Sequence, residues 1–391
     1  MKGWWKRFDW LSLAVTLALI GIGTVAIRSA GCARTELVFH GMWINNLVTA
    51  GVGLVLYGLI AAFDYRKVLG LAAVPAYFVA LLLLVTVLLV GSEQFGGKRW
   101  LWFFQPSEVS KLCVISLTAV LFGGGVSWLV RLRPTFWGFL LAAVLVGVPS
   151  VLILAEPDLG TTLTLLPAVL VMLLAAGVWR RGLATLVIAG AIAGLVLLGV
   201  AYEAYRPGVP PERRERILGY VPLKSHQLKR VQVFLFPEQD QLGAGYNLRE
   251  AKIAIGSGGF SGKGIGRGET HHLKYLPQAI AMNDFIFCVY AEETGFVGTL
   301  VLLALFGVLL VSGCRTAFLA SDGVGCLLAL GVTALVFAHV YVNIAMSIGV
   351  VPITGLPLPF ISSGRTFLIV VLCGLGLIQS VNVHREENEK C

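Results

Sequence analysis

Residues 282–311 read Met282-Asn-Asp284-Phe-Ile-Phe-Cys-Val-Tyr-Ala-Glu292-Glu293-Thr-Gly-Phe-Val-Gly-Thr-Leu-Val-Leu-Leu-Ala-Leu-Phe-Gly-Val-Leu-Leu-Val311. A helix over 284–311 would be about 42 Å long at about 1.5 Å per residue, more than the roughly 30 Å of a bilayer's hydrocarbon core. The stretch predicts a membrane-crossing helix with Asp284 at its outer lip, within reach of lipid head groups. Asn283 is a good helix cap, so Asp284 is not needed for that task. Glu292 and Glu293 lie deeper in the run. The polar stretch before it holds seven glycines between Gly256 and Gly268, with Lys263 and Arg267 among them. A carboxylate beside flexible cationic backbone suits chemistry on an anionic head group.

The rest of the chain is built in the same way. Of 391 residues, 57% are apolar and 13% charged, which excludes an ordinary soluble domain and fits a polytopic membrane protein. Runs of roughly 20 apolar residues predict an all-α membrane protein of about ten spans. They fall near 11–29, 42–62, 69–91, 106–126, 136–155, 158–178, 182–202, 284–311, 322–346 and 357–380. Lys2, Lys6, Arg7, Arg66, Lys67, Arg131, Arg133, Arg180, Arg181, Arg315, Arg385 and Lys390 all fall on one side if the N-terminus is inside. Arg28, Arg34, Lys98 and Arg99 remain for the short outer loops. Both termini are therefore expected in the cytoplasm.

A single membrane domain, 1–391, then carries one large outer loop at about 203–283, between the seventh and eighth helices, long enough to cross regardless of charge. The N-terminal run reads as a first anchor, not a cleaved signal. Seven scattered cysteines, with only Cys32 expected outside, form neither a disulfide framework nor a CxxC pair. The formal charge of +9 follows from the inner-side bias and does not imply nucleic acid.

Several polar groups interrupt the apolar pattern near the outer ends. The fourth span opens Phe104-Gln-Pro106-Ser-Glu108-Val-Ser-Lys111. Pro106 and Glu108 suit a helix start, and Glu108 and Lys111 share a face and can pair. Lys111 sits nearly two turns in, where a cation is expensive unless it faces a cavity or a partner. Lys98 and Arg99 lie just upstream, and together these groups could hold a phosphate. Glu156-Pro-Asp158 forms a tight outer hairpin whose acids complement the next helix N-terminus or line the same cavity.

Segment 203–283 has twelve Lys/Arg against seven Asp/Glu. Within it, Tyr246–Ile255 predicts a short helix stopped by Gly256. The glycines of 256–268 read either as a flexible linker or as an anion-binding nest; they match neither a Walker A loop nor GxGxxG. The last outer connection, with Pro352, Pro357 and Pro359, predicts irregular backbone dipping into protein. His339 and Asn343, inside the ninth span, suggest interhelical hydrogen bonds.

Five motifs in order resemble the SEDS family (shape, elongation, division and sporulation) over essentially the whole chain. They are Gly97-Lys-Arg-Trp100 with Phe104-Gln-Pro-Ser-Glu108…Lys111, then Glu156-Pro-Asp-Leu-Gly-Thr161, and Leu242-Gly-Ala-Gly-Tyr246…Lys252-Ile-Ala-Ile-Gly-Ser-Gly-Gly259. Asp284-Phe-Ile-Phe287…Glu292-Glu293 and Pro357-Leu-Pro-Phe-Ile-Ser362 complete the set. The third motif and Glu156-Pro-Asp-Leu resemble the elongation (RodA-like) branch more than the division (FtsW-like) branch. Three features depart from the family pattern: Ser363-Gly364-Arg365-Thr366 replaces Tyr-Gly-Gly-Ser, Gln278 follows Pro277, and His339 stands where Gln is common.

The resemblance implies a multi-pass peptidoglycan glycosyltransferase of the bacterial cytoplasmic membrane with a lipid-facing outer cavity. Its substrate would be lipid II and its partner a class B penicillin-binding protein. The acid at Asp284 would be essential. On this reading Asp284 is the general base, and the leaving pyrophosphate is held by Arg99 and Lys111, with Lys98 and Lys263 as further candidates. Glu108 would orient Lys111, and Asp158 and Ser362 complete the substrate-binding set. No permanent cofactor or metal is expected; Mg²⁺ or Mn²⁺ would be shared with the pyrophosphate. A lipid II flippase would instead place polar groups at mid-membrane with broken helices in matching halves, and a mere scaffold would have no use for Asp284.

Overall fold

The computed structural model describes residues 4–32, 41–94, 97–101, 104–156, 158–221, 225–240, 243–268 and 281–385. Among the described residues, after the short α1 (Trp4–Arg7), eight helices are long and apolar enough to cross a membrane. These are α2 (Trp10–Cys32), α3 (Met42–Ala62), α4 (Tyr65–Val90), α7 (Phe136–Ala155), α9 (Arg180–Tyr205), α13 (Ile286–Leu319), α14 (Gly323–Ser347) and α15 (Arg365–Val383). Two further helices, α5 (Pro106–Phe122) and α8 (Leu159–Ala175), have 17 residues each and stand where the fourth and sixth spans are expected. A six-residue helix, α6 (Ser127–Leu132), links α5 to α7.

Several boundaries differ from the hydropathy reading, among them the end of the eighth span, which runs on to Leu319 instead of 311. The fourth span stops at Phe122 instead of continuing to 126, because Gly123 caps it, its N–H donating to Ala119 O at 2.7 Å, and Gly124 follows at φ 102°. The last helix starts at Arg365 rather than 357. Pro352, Pro357 and Pro359 have no N–H to give a helix, so 352–364 runs as irregular backbone. That segment is nevertheless well buried at Leu356, Leu358, Phe360 and Ile361. Its Phe360 holds φ 65°, a left-handed conformation that a bulky side chain adopts only when its surroundings enforce it.

The bundle centres on α14 and α15. The α14 helix packs on α13, α8 and α5, and α15 lies along α3, while α4 flanks α5. Between α4 and α5 an antiparallel hairpin, β1 (Ser92–Gln94) and β2 (Gly97–Trp100), pairs Ser92 with Trp100 and carries Arg99. Beyond α9 the chain forms α10 (Pro211–Leu218) and α11 (Ser225–Leu235). Ile217, Leu218, Val231, Leu235 and Phe236 from this region pack on Ala201, Ala204 and Tyr205 as a small separate core. The predicted short helix is α12 (Ala244–Ser257).

The glycine-rich segment after α12 has a packing role. Helix α13 breaks at Gly295 (φ 66°, ψ −161°), a conformation essentially restricted to glycine. The break frees main-chain groups in an apolar setting, where each must find a partner. Phe296 N donates to Gly259 O at 2.9 Å and Val297 N to Phe260 O at 3.2 Å. In return Lys263 N donates to Glu292 O at 3.0 Å and Gly264 N to Glu293 O at 2.9 Å. A Cβ on Gly262 would lie 2.1 Å from Glu293 O, and one on Gly295 would lie 2.3 Å from Gly262 N. The glycines therefore allow backbone to lie against backbone, and several of their N–H groups are already bonded.

Candidate active site

Asp284 lies in the turn between Ala281-Met282 and the start of α13, and this turn is fixed by the irregular 352–364 segment. Ser362 Oγ donates to Asn283 O at 2.6 Å and accepts from Leu358 N at 2.8 Å. Ser363 Oγ donates to Asn283 Oδ1, and Ser363 N donates to Met282 O at 3.3 Å. Asn343 of α14 donates through Nδ2 to Asp284 O at 3.0 Å and to Leu356 O at 2.7 Å. Asn283 thus engages Ser363 and does not cap α13, whose cap position is Phe285, without a side-chain bond.

Against this rigid main chain the Asp284 side chain is left open. It is half-buried, and among the described residues none donates a hydrogen bond to its carboxylate. Burial raises its pKa to about 6, against the opposing pull of Arg230 and Arg99. A carboxylate of that pKa, free of structural bonds, is suited to take up a proton near neutral pH.

Arg99 reaches this place from β2, its Nε donating to Glu156 O at 3.3 Å. Arg230 arrives from α11, Nη1 donating to Thr354 O at 3.0 Å. Burial, then repulsion from Arg99, lowers the Arg230 pKa, while Asp158 and Asp284 oppose that shift. Sequence reasoning missed Arg230. It is one of twelve cations in a basic segment, and its only local signal is its place on the amphipathic helix α11.

Asp158 is buried and serves as the cap of α8. Its Oδ1 accepts from Thr161 N at 3.1 Å, and its Oδ2 accepts from Thr161 Oγ1 at 2.7 Å and Gln105 Nε2 at 3.0 Å. Glu156 is fully buried, and neither carboxylate oxygen has a hydrogen-bond partner among the described residues. Burial and then Asp158 raise its pKa to about 8, with Arg99 opposing. Glu156 is therefore protonated at neutral pH.

The remaining candidates are differently placed. Lys111 is fully buried, with Nζ 2.8 Å from Glu108 Oε2 and 2.8 Å from His339 Nε2. Its ammonium is enclosed by protein, so in this conformation it organises the wall beneath the site without facing open space. Lys263 pairs with buried Glu292 at 2.9 Å. Ser362 has its hydroxyl engaged as described. The side chain of Lys98, and Pro277 with Gln278, lie outside the described residues. Among the described residues no three His, Cys, Asp or Glu side chains converge in a set that could hold a metal.

Residues 9–387 match the family model for the FtsW/RodA/SpoVE cell cycle proteins. The chain belongs to this family. Among its relatives, the peptidoglycan glycosyltransferase MrdB of Escherichia coli K12 is 34% identical over 392 residues, covering 98% of this chain and 96% of that protein. In structure, this FtsW/RodA/SpoVE chain resembles a chain of a peptidoglycan synthase complex that coordinates polymerization and crosslinking. That match has a TM-score of 0.72 and 31% identity, and covers 97% of this chain and 99% of the other. The rod shape determining protein RodA of Thermus thermophilus matches at TM-score 0.66 and 28% identity, over 97% and 98% of the two chains. The family's helical membrane architecture is thus this chain's own, and Asp284, Arg99 and Asp158 belong to motifs that the whole-length match includes.

Proposed function

We propose that this chain is an elongation-type peptidoglycan glycosyltransferase, polymerising lipid II into glycan strands at the outer face of the bacterial cytoplasmic membrane. Its termini lie in the cytoplasm, as the basic residues direct. A class B penicillin-binding protein is its partner, as the likeness to the synthase-complex chain suggests.

The observation that carries the reading is the Asp284 carboxylate, held on a rigid turn, without a hydrogen-bond donor among the described residues, and flanked by Arg99 and Arg230. The 4-hydroxyl of one lipid-linked sugar attacks the anomeric carbon of another. As the new C–O bond forms, the bond to the phosphate oxygen breaks, and the hydroxyl proton passes to Asp284. Such proton transfer typically contributes about 10²–10⁴-fold. The undecaprenyl pyrophosphate departs with the bonding pair, and its charge is held by Arg99 and Arg230. Asp158 and Glu156 line the anionic side of the same cluster, where a neutral Glu156 avoids repelling the leaving group.

Among the described residues the donor set does not suit a resident metal: Asp158 is engaged by Thr161 and Gln105 and Glu156 is protonated, which leaves Asp284 as the ionisable carboxylate of the cluster with open oxygens. A divalent cation would enter with the pyrophosphate. Incubating the purified protein with lipid II, alone and with a cognate class B penicillin-binding protein, tests the reading. Glycan ladders are expected; transbilayer movement of lipid II without polymer would favour a flippase instead.

A further inference from the structure

We infer that His339 and Asn343, one helical turn apart on α14, are positioning residues that fix the Lys111–Glu108 pair and Asp284 in one frame. The inference rests on the polymerase reading above. Lys111 carries donors only, so its ammonium gives a hydrogen to His339 Nε2 at 2.8 Å, while it forms an ion pair with Glu108 Oε2 at 2.8 Å. The ring proton of His339 is then on Nδ1, which faces Pro357 O at 3.4 Å. The Phe367 ring closes the arrangement, with its centroid 4.3 Å from the His339 ring and 5.4 Å from Lys111 Nζ.

Residues i and i+4 share a helix face, and here that face grips consecutive carbonyls. His339 addresses Pro357 O, and Asn343 addresses Leu356 O at 2.7 Å and Asp284 O at 3.0 Å. A single face of α14 therefore joins the buried cation of α5, the irregular proline segment and the main chain of Asp284. Lys111, Glu108, His339, Asn343 and Leu356 are buried, Pro357 is half-buried, and Asp284 opens to the site. An enclosed ammonium needs its acceptors. If His339 is lost, Lys111 and Glu108 must shift to find another, and the proline segment that carries Asp284's staple loses a contact. A displacement near 1 Å at the reacting groups can cost about 10²-fold in rate.

Glutamine has the chemistry to take both roles, its carbonyl accepting from Lys111 and its amide donating to Pro357 O. Leucine has neither. Lipid II polymerisation by wild type, H339L, H339Q, K111M, K111M/H339L and D284N separates the possibilities. The expected result is a kcat for H339L lower by about 10²-fold with little change in KM. H339Q recovers activity to within about fivefold of wild type, and K111M/H339L is no worse than K111M.

Equal losses in H339Q and H339L, an undiminished H339L, or additive losses in the double variant would overturn the inference. An inactive wild type would sink the polymerase reading instead, so a second readout is independent of activity. With ¹⁵N-labelled histidine and the H339Q spectrum subtracted, the inference requires the Nδ1–H tautomer at His339; an Nε2–H tautomer contradicts it.

Discussion

Ser362 donates its hydroxyl hydrogen to the main-chain carbonyl of Asn283 at 2.6 Å, one residue before Asp284. Through this bond, the irregular proline segment sets the main-chain position of the carboxylate. The same hydroxyl accepts from Leu358 N, so Ser362 closes the tight turn that holds Phe360 at positive φ.

Ser362→Ala removes both bonds and leaves the Leu358 N–H and the Asn283 carbonyl in need of partners. A lost buried bond of this kind costs about 1–3 kcal/mol. A lower melting temperature in detergent is expected, together with a fall in kcat greater than that in lipid II affinity. Unchanged melting and turnover would show that the turn holds without it.

Polymerisation should follow the ionisation of Asp284. Its pKa of about 6 lies above the ordinary 3.8, so the base form dominates above pH 6 and is lost below it. The rate at low substrate should fall about tenfold per pH unit under that value. Arg230 opposes the upward shift, so Arg230→Gln should move the acid limb to higher pH as well as weakening the hold on pyrophosphate. A profile flat from pH 5 to 7 would remove Asp284 from the proton transfer.

Glu156 predicts a different pH effect, on stability. Its folded-state pKa near 8 is above the ordinary 4.5. Ionisation is therefore easier in the unfolded chain; the associated stability is fully present below about 4.5 and is lost as pH rises through about 8. Glu156→Gln cannot ionise and should melt higher than wild type at pH 9, with the difference shrinking at acid pH. Equal melting of the two proteins across that range would contradict the assignment.

The sequence predicted most of the helical frame because apolar length is a direct consequence of bilayer thickness. It marked Asp284, Arg99, Glu108 and Lys111 because a charge beside or within such a run must have a reason. It could not mark Arg230, whose place depends on α11 folding back so that its guanidinium meets Thr354 O. Nor could it assign the glycines of 256–268, whose partner is a helix break at Gly295 that no local pattern announces. Lys263 appeared available for a phosphate for the same reason: its partner, Glu292, is 29 residues away.

That ion pair gives a further prediction. Glu292 is buried, so Lys263→Met removes a cation that pairs with its carboxylate, a change worth about 3–5 kcal/mol in other buried pairs. Lys263→Met should destabilise the protein, and Lys263→Met with Glu292→Gln should recover much of the loss. If instead Lys263→Met melts like wild type but fails to bind lipid II, Lys263 acts on the substrate.

The central claim is that Asp284 takes the proton in glycan polymerisation, and Asp284→Asn tests it most directly because it keeps the size and removes the base. Lipid II polymerisation by purified wild type and Asp284→Asn, compared at equal folded protein, is the measurement. Glycan ladders from wild type with a loss of at least about 10²-fold in the variant are expected. Ladders of equal yield from both proteins would contradict the claim and place the base elsewhere in the cluster.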